Sequence, residues 1–268
     1  MDPNPIGENY TLPASELTSE AQAYKLALKC GYSKDDLTLI PPGTLSELGC
    51  GNAIGAADLK EGELVLEFGC GAKVDIFLAA AKVGSNGKAV GVDDSEELVK
   101  SVISIAKCHK KENIEFYRSS IEQLPFADGT FNVAICNCVL NLVPDKLKVF
   151  AQIYRVLKHG SGRFIISAIL IKKPVLEEAE AELLSEVIDL ENVVDSQTYK
   201  HGLEAVGFQD VVILDKKLDL ECLYTDHKGK KRFCGGKKKQ GKIDVEALKK
   251  CNLNEYVMSC TIKAYKKD

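Results

Sequence analysis

From Glu63 to Ile171 the chain alternates short apolar runs with amphipathic stretches, and nothing else in the sequence limits its folds as strongly. ELVLEFG (63–69), KAVGVD (88–93), IEFYRS (114–119), FNVAICN (131–137) and GRFIISAILI (162–171) have the β-branched and aromatic content of strands. Between them, VDIFLAAAKVG (74–84), SEELVKSVISIAKCHK (95–110) and the stretch from about Asp145 to Leu157 have helical spacing. Ser95 stands as an N-cap for the second of these helices, with acids in its first turn. Parallel strands cannot be joined by a tight hairpin and need a crossover, so this order predicts βαβ units and a parallel sheet covered on both faces.

Two later segments, FQDVVIL (208–214) and EYVMSCTIKAY (255–265), bring the expected strands to seven in a mostly parallel, Rossmann-like α/β sheet. Three stretches follow. Residues 1–62 form an N-terminal helical and loop segment, with a helix over Ser15–Lys29 and a turn-rich run carrying Pro41 and Pro42. Residues 63–175 form the Rossmann-like core. Residues 176–268 hold an acidic helix (EEAEAELLSEVIDL), a helix near Ser196–Val206, a basic loop and the last strands, as a small C-terminal appendage.

A chain of 268 residues with 45% hydrophobic content can bury one large core. It has no apolar run long enough to span a bilayer, and MDPNPIGENY lacks the build of a signal peptide, so a cytoplasmic protein with no membrane partner is expected. The ten cysteines are scattered without zinc-ribbon spacing, and free thiols are the expectation. The net charge of −4 conceals an acidic main body and a basic C-terminal part, the latter centred on HKGKKRFCGGKKKQGK (227–242). That stretch reads as a solvated loop rather than a nucleic-acid or anionic-membrane patch. His109, His159, His201 and His227 fall in helix ends or loops and form no Ser-His-Asp or zinc constellation.

The first strand ends in Glu67-Phe68-Gly69-Cys70-Gly71, which puts two glycines into a strand-to-helix turn where the backbone can approach a ligand closely. Asp93 closes the second strand, where a carboxylate can accept hydrogen bonds from ribose hydroxyls. Such a pair suits NAD or S-adenosylmethionine. The third glycine of a dinucleotide fingerprint is replaced by Val74, and S-adenosylmethionine has no phosphate to cradle, which favours it. SSIEQLPFADGTFNVAICN (119–137) resembles the class I methyltransferase segment that lies over the adenine, with Ile121 and Glu122 in its turn.

The resemblance then narrows. LGCGNAIGAADLKEGELVLEFGCGAKVDIFLAAAKVGSNGKAVGVD and CNCVLNLVPDKLKVFAQIYRVLKHGSGRF are similar to the arsenite methyltransferase family, over roughly Gly31–Phe208. It implies a class I methyltransferase that methylates As(III) with S-adenosylmethionine. The cofactor would contact Glu67, Gly69, Gly71, Asp93, Ile121, Glu122 and Asn137. It also implies that Cys50 in GCGN and Cys138 in NCVLNL are the catalytic thiols that bind arsenic, thiolate being the ligand class soft centres select. Cys70 and Cys136 read as packing residues. Partners implied are arsenite or a thiol-conjugated arsenical, and a thiol reductant such as glutathione or thioredoxin; no nucleic acid is expected.

The sequence departs from the family pattern at three places. The third family cysteine, expected after Glu186, is Val187, so a two-thiol site would be completed by glutathione or by Cys222 or Cys234. Lys73 replaces a glycine, and Ser167-Ala168-Ile169 replaces an acid-bearing triplet. The departures leave two other readings open: a methyltransferase of a small organic acceptor or another soft element, and a degenerate, non-catalytic cofactor-binding relative.

Overall fold

The computed structural model describes residues 14–45, 49–69, 73–173, 192–220 and 253–268. The acidic segment 177–190, Glu186 and Val187, the basic segment 227–242 with His227, Cys222 and Cys234 lie outside the described residues. The N-terminal part holds helix α1 (Ala14–Lys29) and two short helices, α2 (Lys34–Thr38) and α3 (Ala53–Ala56). Next come β1 (Leu64–Phe68), α4 (Lys73–Val83), β2 (Lys88–Asp93), α5 (Glu96–Cys108) and β3 (Ile114–Arg118). The remainder is β4 (Val133–Asn137), a 3-10 turn (Val139–Leu142), α6 (Lys146–Val156), β5 (Gly162–Ile171), α7 (Ser196–Ala205), β6 (Gln209–Asp215), α8 (Leu253–Tyr256) and β7 (Val257–Lys266).

The seven strands among the described residues form one sheet in the order β3-β2-β1-β4-β5-β7-β6. The first five are parallel to one another, while β7 runs antiparallel between β5 and β6. The last strand expected from the sequence is thus part of the sheet, an inner strand paired with β5 from Val257 to Lys266. Helix starts follow local chemistry. Ser95 Oγ accepts the Leu98 N–H at 3.3 Å, and Ser33 and Asp36 close a reciprocal capping box on α2. At the other end of α6, the buried Lys266 ammonium donates to the Tyr154 and Leu157 carbonyls, satisfying groups that the helix leaves open.

Side-chain alternation divides the core into two layers. Val65, Val133, Ile135 and Ile165 face α4 and α5, among Phe77, Leu78 and Val102. Leu66, Phe68, Ala134, Cys136 and Phe164 face α6 and α7, among Phe150, Ile153, Tyr199 and Leu203. Each fully buried side chain of this size contributes about 1.5–3 kcal/mol. Strand order reverses between β1 and β4, and in open α/β sheets ligands bind at such a switch point, beyond the carboxyl ends of the strands.

Candidate active site

The switch point is built from the ends of β1 and β4, and the polar residues there all share the α4 side of the sheet. Glu67 and Asn137 occupy the same face as Val65 and Ile135 because strand side chains repeat every two residues. Asp75, in the first turn of α4, and Tyr32, in the turn before α2, complete a buried cluster. Tyr32 donates its hydroxyl proton to Asp75 Oδ1 at 2.6 Å. Asn137 Nδ2 donates to Asp75 Oδ2 and to the Gly51 carbonyl, both at 2.8 Å. Two acceptors on one side dictate that the amide turns its NH2 toward them, so Oδ1 must face away, and it has no partner among the described residues.

The electrostatics are acidic and dry. Burial holds Glu67 well above the usual carboxylate range, and the nearby charges of Asp75 and Asp93 push it the same way. Its Oε2 has no hydrogen-bond partner among the described residues. Burial also raises Asp75 to about 6, against the lowering effect of the hydrogen bonds from Tyr32 and Asn137. A buried acceptor of this kind favours the arrival of a cationic donor, which would restore its charge.

Above the cluster, Cys50 and Cys138 meet. Cys138 follows β4 with a left-handed backbone (φ 70°), and its N–H donates to the Ser167 carbonyl at 2.8 Å. Cys50 is fully buried, and its carbonyl accepts the Ser259 hydroxyl at 2.7 Å. The two cysteines are joined as a disulfide, with Cα atoms 5.6 Å apart. This corrects the expectation of free thiols at these two positions, since a Cα separation in this range lets neighbouring cysteines bond, while Cys108, Cys136 and Cys260 are free thiols as expected. Glycines on either side let the Cys50 segment lie flat on the sheet. A Cβ on Gly49 would overlap the Asn137 amide, and one on Gly51 would overlap Ser167 Oγ.

A family model described as methyltransferase domain matches residues 59–245. The chain belongs to the methyltransferase domain family. Among curated relatives, the arsenite methyltransferase of Halobacterium salinarum is 34% identical over 240 residues, covering 89% of this chain and 55% of that protein. The arsenite methyltransferase of Aquipseudomonas alcaligenes is 31% identical over 169 residues, covering 60% and 48%. The chain thus spans about half the length of the curated relatives it matches. The crystal structure of an arsenic(III) S-adenosylmethionine methyltransferase from Chlamydomonas reinhardtii shares the fold. Its TM-score is 0.60 at 24% identity, covering 91% of this chain and 74% of that one.

Within this methyltransferase domain the predicted residues are only partly brought together. Glu67, Asn137, Cys50 and Cys138 converge at the switch point. Gly69 turns the chain away from β1 with φ +73°, and a Cβ there would overlap Val139, so glycine is required. Asp93 closes β2 and accepts the Ser95 N–H at 2.9 Å, close enough to Glu67 to raise it. Ile121 packs against the α6-side core and Glu122 is exposed, both outside the hydrogen-bonded cluster. Gly71, Cys70 and the side chain of Lys73 lie outside the described residues. Cys136 is a packing residue of the methyltransferase core, with burial pushing its thiol up to about 12. His109, His159 and His201 are exposed.

Sequence reasoning missed Tyr32 and Asp75. Asp75 carries a readable signal, being the only acid in the helix KVDIFLAAAKV. Tyr32 carries none, because its partner lies 43 residues away.

Proposed function

We propose that this chain is an S-adenosylmethionine-dependent methyltransferase acting on trivalent arsenic. The observation that carries the reading is the convergence of Cys50 and Cys138, 88 residues apart in sequence, over the switch point of a methyltransferase sheet. The cofactor's fit rests on Glu67 Oε2 and Asn137 Oδ1, two buried acceptors without partners among the described residues. Glu67 and Asn137 would receive the ammonium of the methionyl part, Asp93 the ribose hydroxyls, Gly69 and Gly71 the close-lying backbone, and Ile121 and Glu122 the adenine side. When bound, S-adenosylmethionine supplies an electrophilic methyl group.

The chain's own residues do the rest. A thiol reductant such as glutathione or thioredoxin opens the Cys50–Cys138 pair, as the reducing cytoplasm favours. Each thiol then displaces one hydroxyl of arsenite, its proton leaving with that hydroxyl as water. Two short As–S bonds hold the substrate at the end of β4, and the third position is left to glutathione or to Cys222 or Cys234. The two-point grip fixes the direction of the arsenic lone pair, and orientation of this kind supplies up to about 7–11 kcal/mol of a barrier. A general base is unnecessary, because the attacking lone pair carries no proton.

The test is direct. Reduced protein incubated with arsenite, a thiol and labelled S-adenosylmethionine should yield methylarsenicals by mass spectrometry, and Cys138→Ser should yield none. Absence of product from the reduced wild type would sink the reading. The closed disulfide and the absence of a family cysteine at Val187 favour one other reading, methylation of a small organic acceptor. Under it, Cys138→Ser keeps its turnover on that acceptor and arsenite does not compete.

A further inference from the structure

Asn137 belongs to both parts of the site. Its Nδ2 holds the Gly51 carbonyl, next to Cys50, while its Oδ1, like Glu67 Oε2, is a buried acceptor without a partner among the described residues. What keeps the amide in this orientation is Asp75, and what keeps Asp75 in place is Tyr32. These residues come from three separate elements, the turn before α2, the start of α4 and the end of β4, so none is positioned by its sequence neighbours. Two fully buried carboxylates, Asp75 and Glu67, on one sheet face are an expensive way to fill space, because apolar residues of the same size pack there at lower cost.

We infer that Tyr32 and Asp75 are positioning residues that couple occupancy of the cofactor site to the placement of Cys50, with Asn137 as the shared member. The inference rests on the proposed function. A donor that engages Glu67 Oε2 and Asn137 Oδ1 fixes the Asn137 amide, and the fixed amide holds Gly51 and therefore Cys50 against the sheet. Arsenic bound by Cys50 and Cys138 orders the same segment from the other side, and so prepares the amide for the cofactor. Linkage requires the two effects to be equal in size.

The experiment is calorimetric titration of the reduced full chain with arsenite, in the presence and absence of saturating S-adenosylhomocysteine. In the wild type, S-adenosylhomocysteine should tighten arsenite binding about tenfold, within the usual range of such couplings. Tyr32→Phe keeps the ring and removes the hydroxyl, and Asp75→Asn removes the carboxylate. Each variant should still bind both ligands, with the ratio falling to about one. Tyr199→Phe is the control for general loosening, since the Tyr199 hydroxyl is buried without a partner among the described residues, and its ratio should match the wild type.

A wild-type ratio of one overturns the inference whether or not the variants fold, and so does a wild-type ratio retained in Tyr32→Phe. A ratio that falls equally in Tyr199→Phe assigns the effect to packing and also overturns it. Wild-type protein that binds neither ligand overturns the proposed function instead, so the two failures are distinct.

Discussion

The two faces of the sheet reach the ends of β1 and β4 with opposite chemistry. On the α6 side, Phe68 and Cys136 continue the apolar layer into Phe150 and Phe164, and the rings of Phe68 and Phe164 lie 5.7 Å apart. On the α4 side, one residue along each strand, the layer gives way to Glu67 and Asn137 with Asp75 and Tyr32 beneath the Cys50 segment. Both regions are equally buried, so burial alone does not separate structure from function here. What separates them is the kind of group left without a partner among the described residues: the acceptors Glu67 Oε2 and Asn137 Oδ1 at the strand ends on the α4 side, against the Tyr199 hydroxyl within the α6-side layer. Stability is stored on one face, and readiness for a ligand on the other.

Exchanging the two thiols breaks the comparison most sharply. Cys138→Ser should abolish arsenite methylation, whereas Cys136→Ala, on the opposite face, should keep turnover and cost stability alone, about 1 kcal/mol by denaturant midpoint. A cavity on the apolar face comes next. Phe150→Ala should destabilise by about 3–5 kcal/mol in urea while leaving cofactor affinity per folded molecule unchanged. Its counterpart is Glu67→Gln, which should weaken S-adenosylmethionine binding at least about tenfold by calorimetry, with little loss of stability.

A smaller effect follows from Asp75, which burial raises to about 6 from an ordinary value of 3.8. The folded chain holds this proton more tightly than the unfolded chain does. The contribution to stability is therefore full below about pH 4 and disappears as pH rises through about 6. Glu67, raised in the same direction by burial, acts in the same sense. Urea midpoints across pH 4–7 should fall less steeply for Asp75→Asn than for the wild type, and parallel curves would contradict the burial of its charge. The smallest effect lies away from both faces: Ser95→Ala removes the α5 cap, with an expected loss of about 1 kcal/mol in thermal unfolding and no change in turnover.

The strands and helices of the core were legible because their signals are local. KAVGVD coincides with β2, and the cap at Ser95 stands where its side chain and the following acids place it. The position of β7 was not legible, since an antiparallel insertion between β5 and β6 depends on which strand edges remain open once the others have paired. At the site, the cysteines were readable from motif and the glycines from the strand-to-helix turn. Gly49 and Gly51 acquire their reason only from the Asn137 and Ser167 side chains pressed against them.

By itself the sequence determined the alternation, the parallel half of the sheet, the glycine turn and the two residues flanking the β4 end, because hydrophobic period and turn chemistry act over a few residues. Tertiary structure alone decided that Cys50 faces Cys138, that Asp75 and Tyr32 lie beneath them, and that Asn137 turns its amide nitrogen toward Gly51. Those facts depend on groups separated by 43 to 88 residues, and only the closing of the sheet brings such groups within hydrogen-bond or bonding distance.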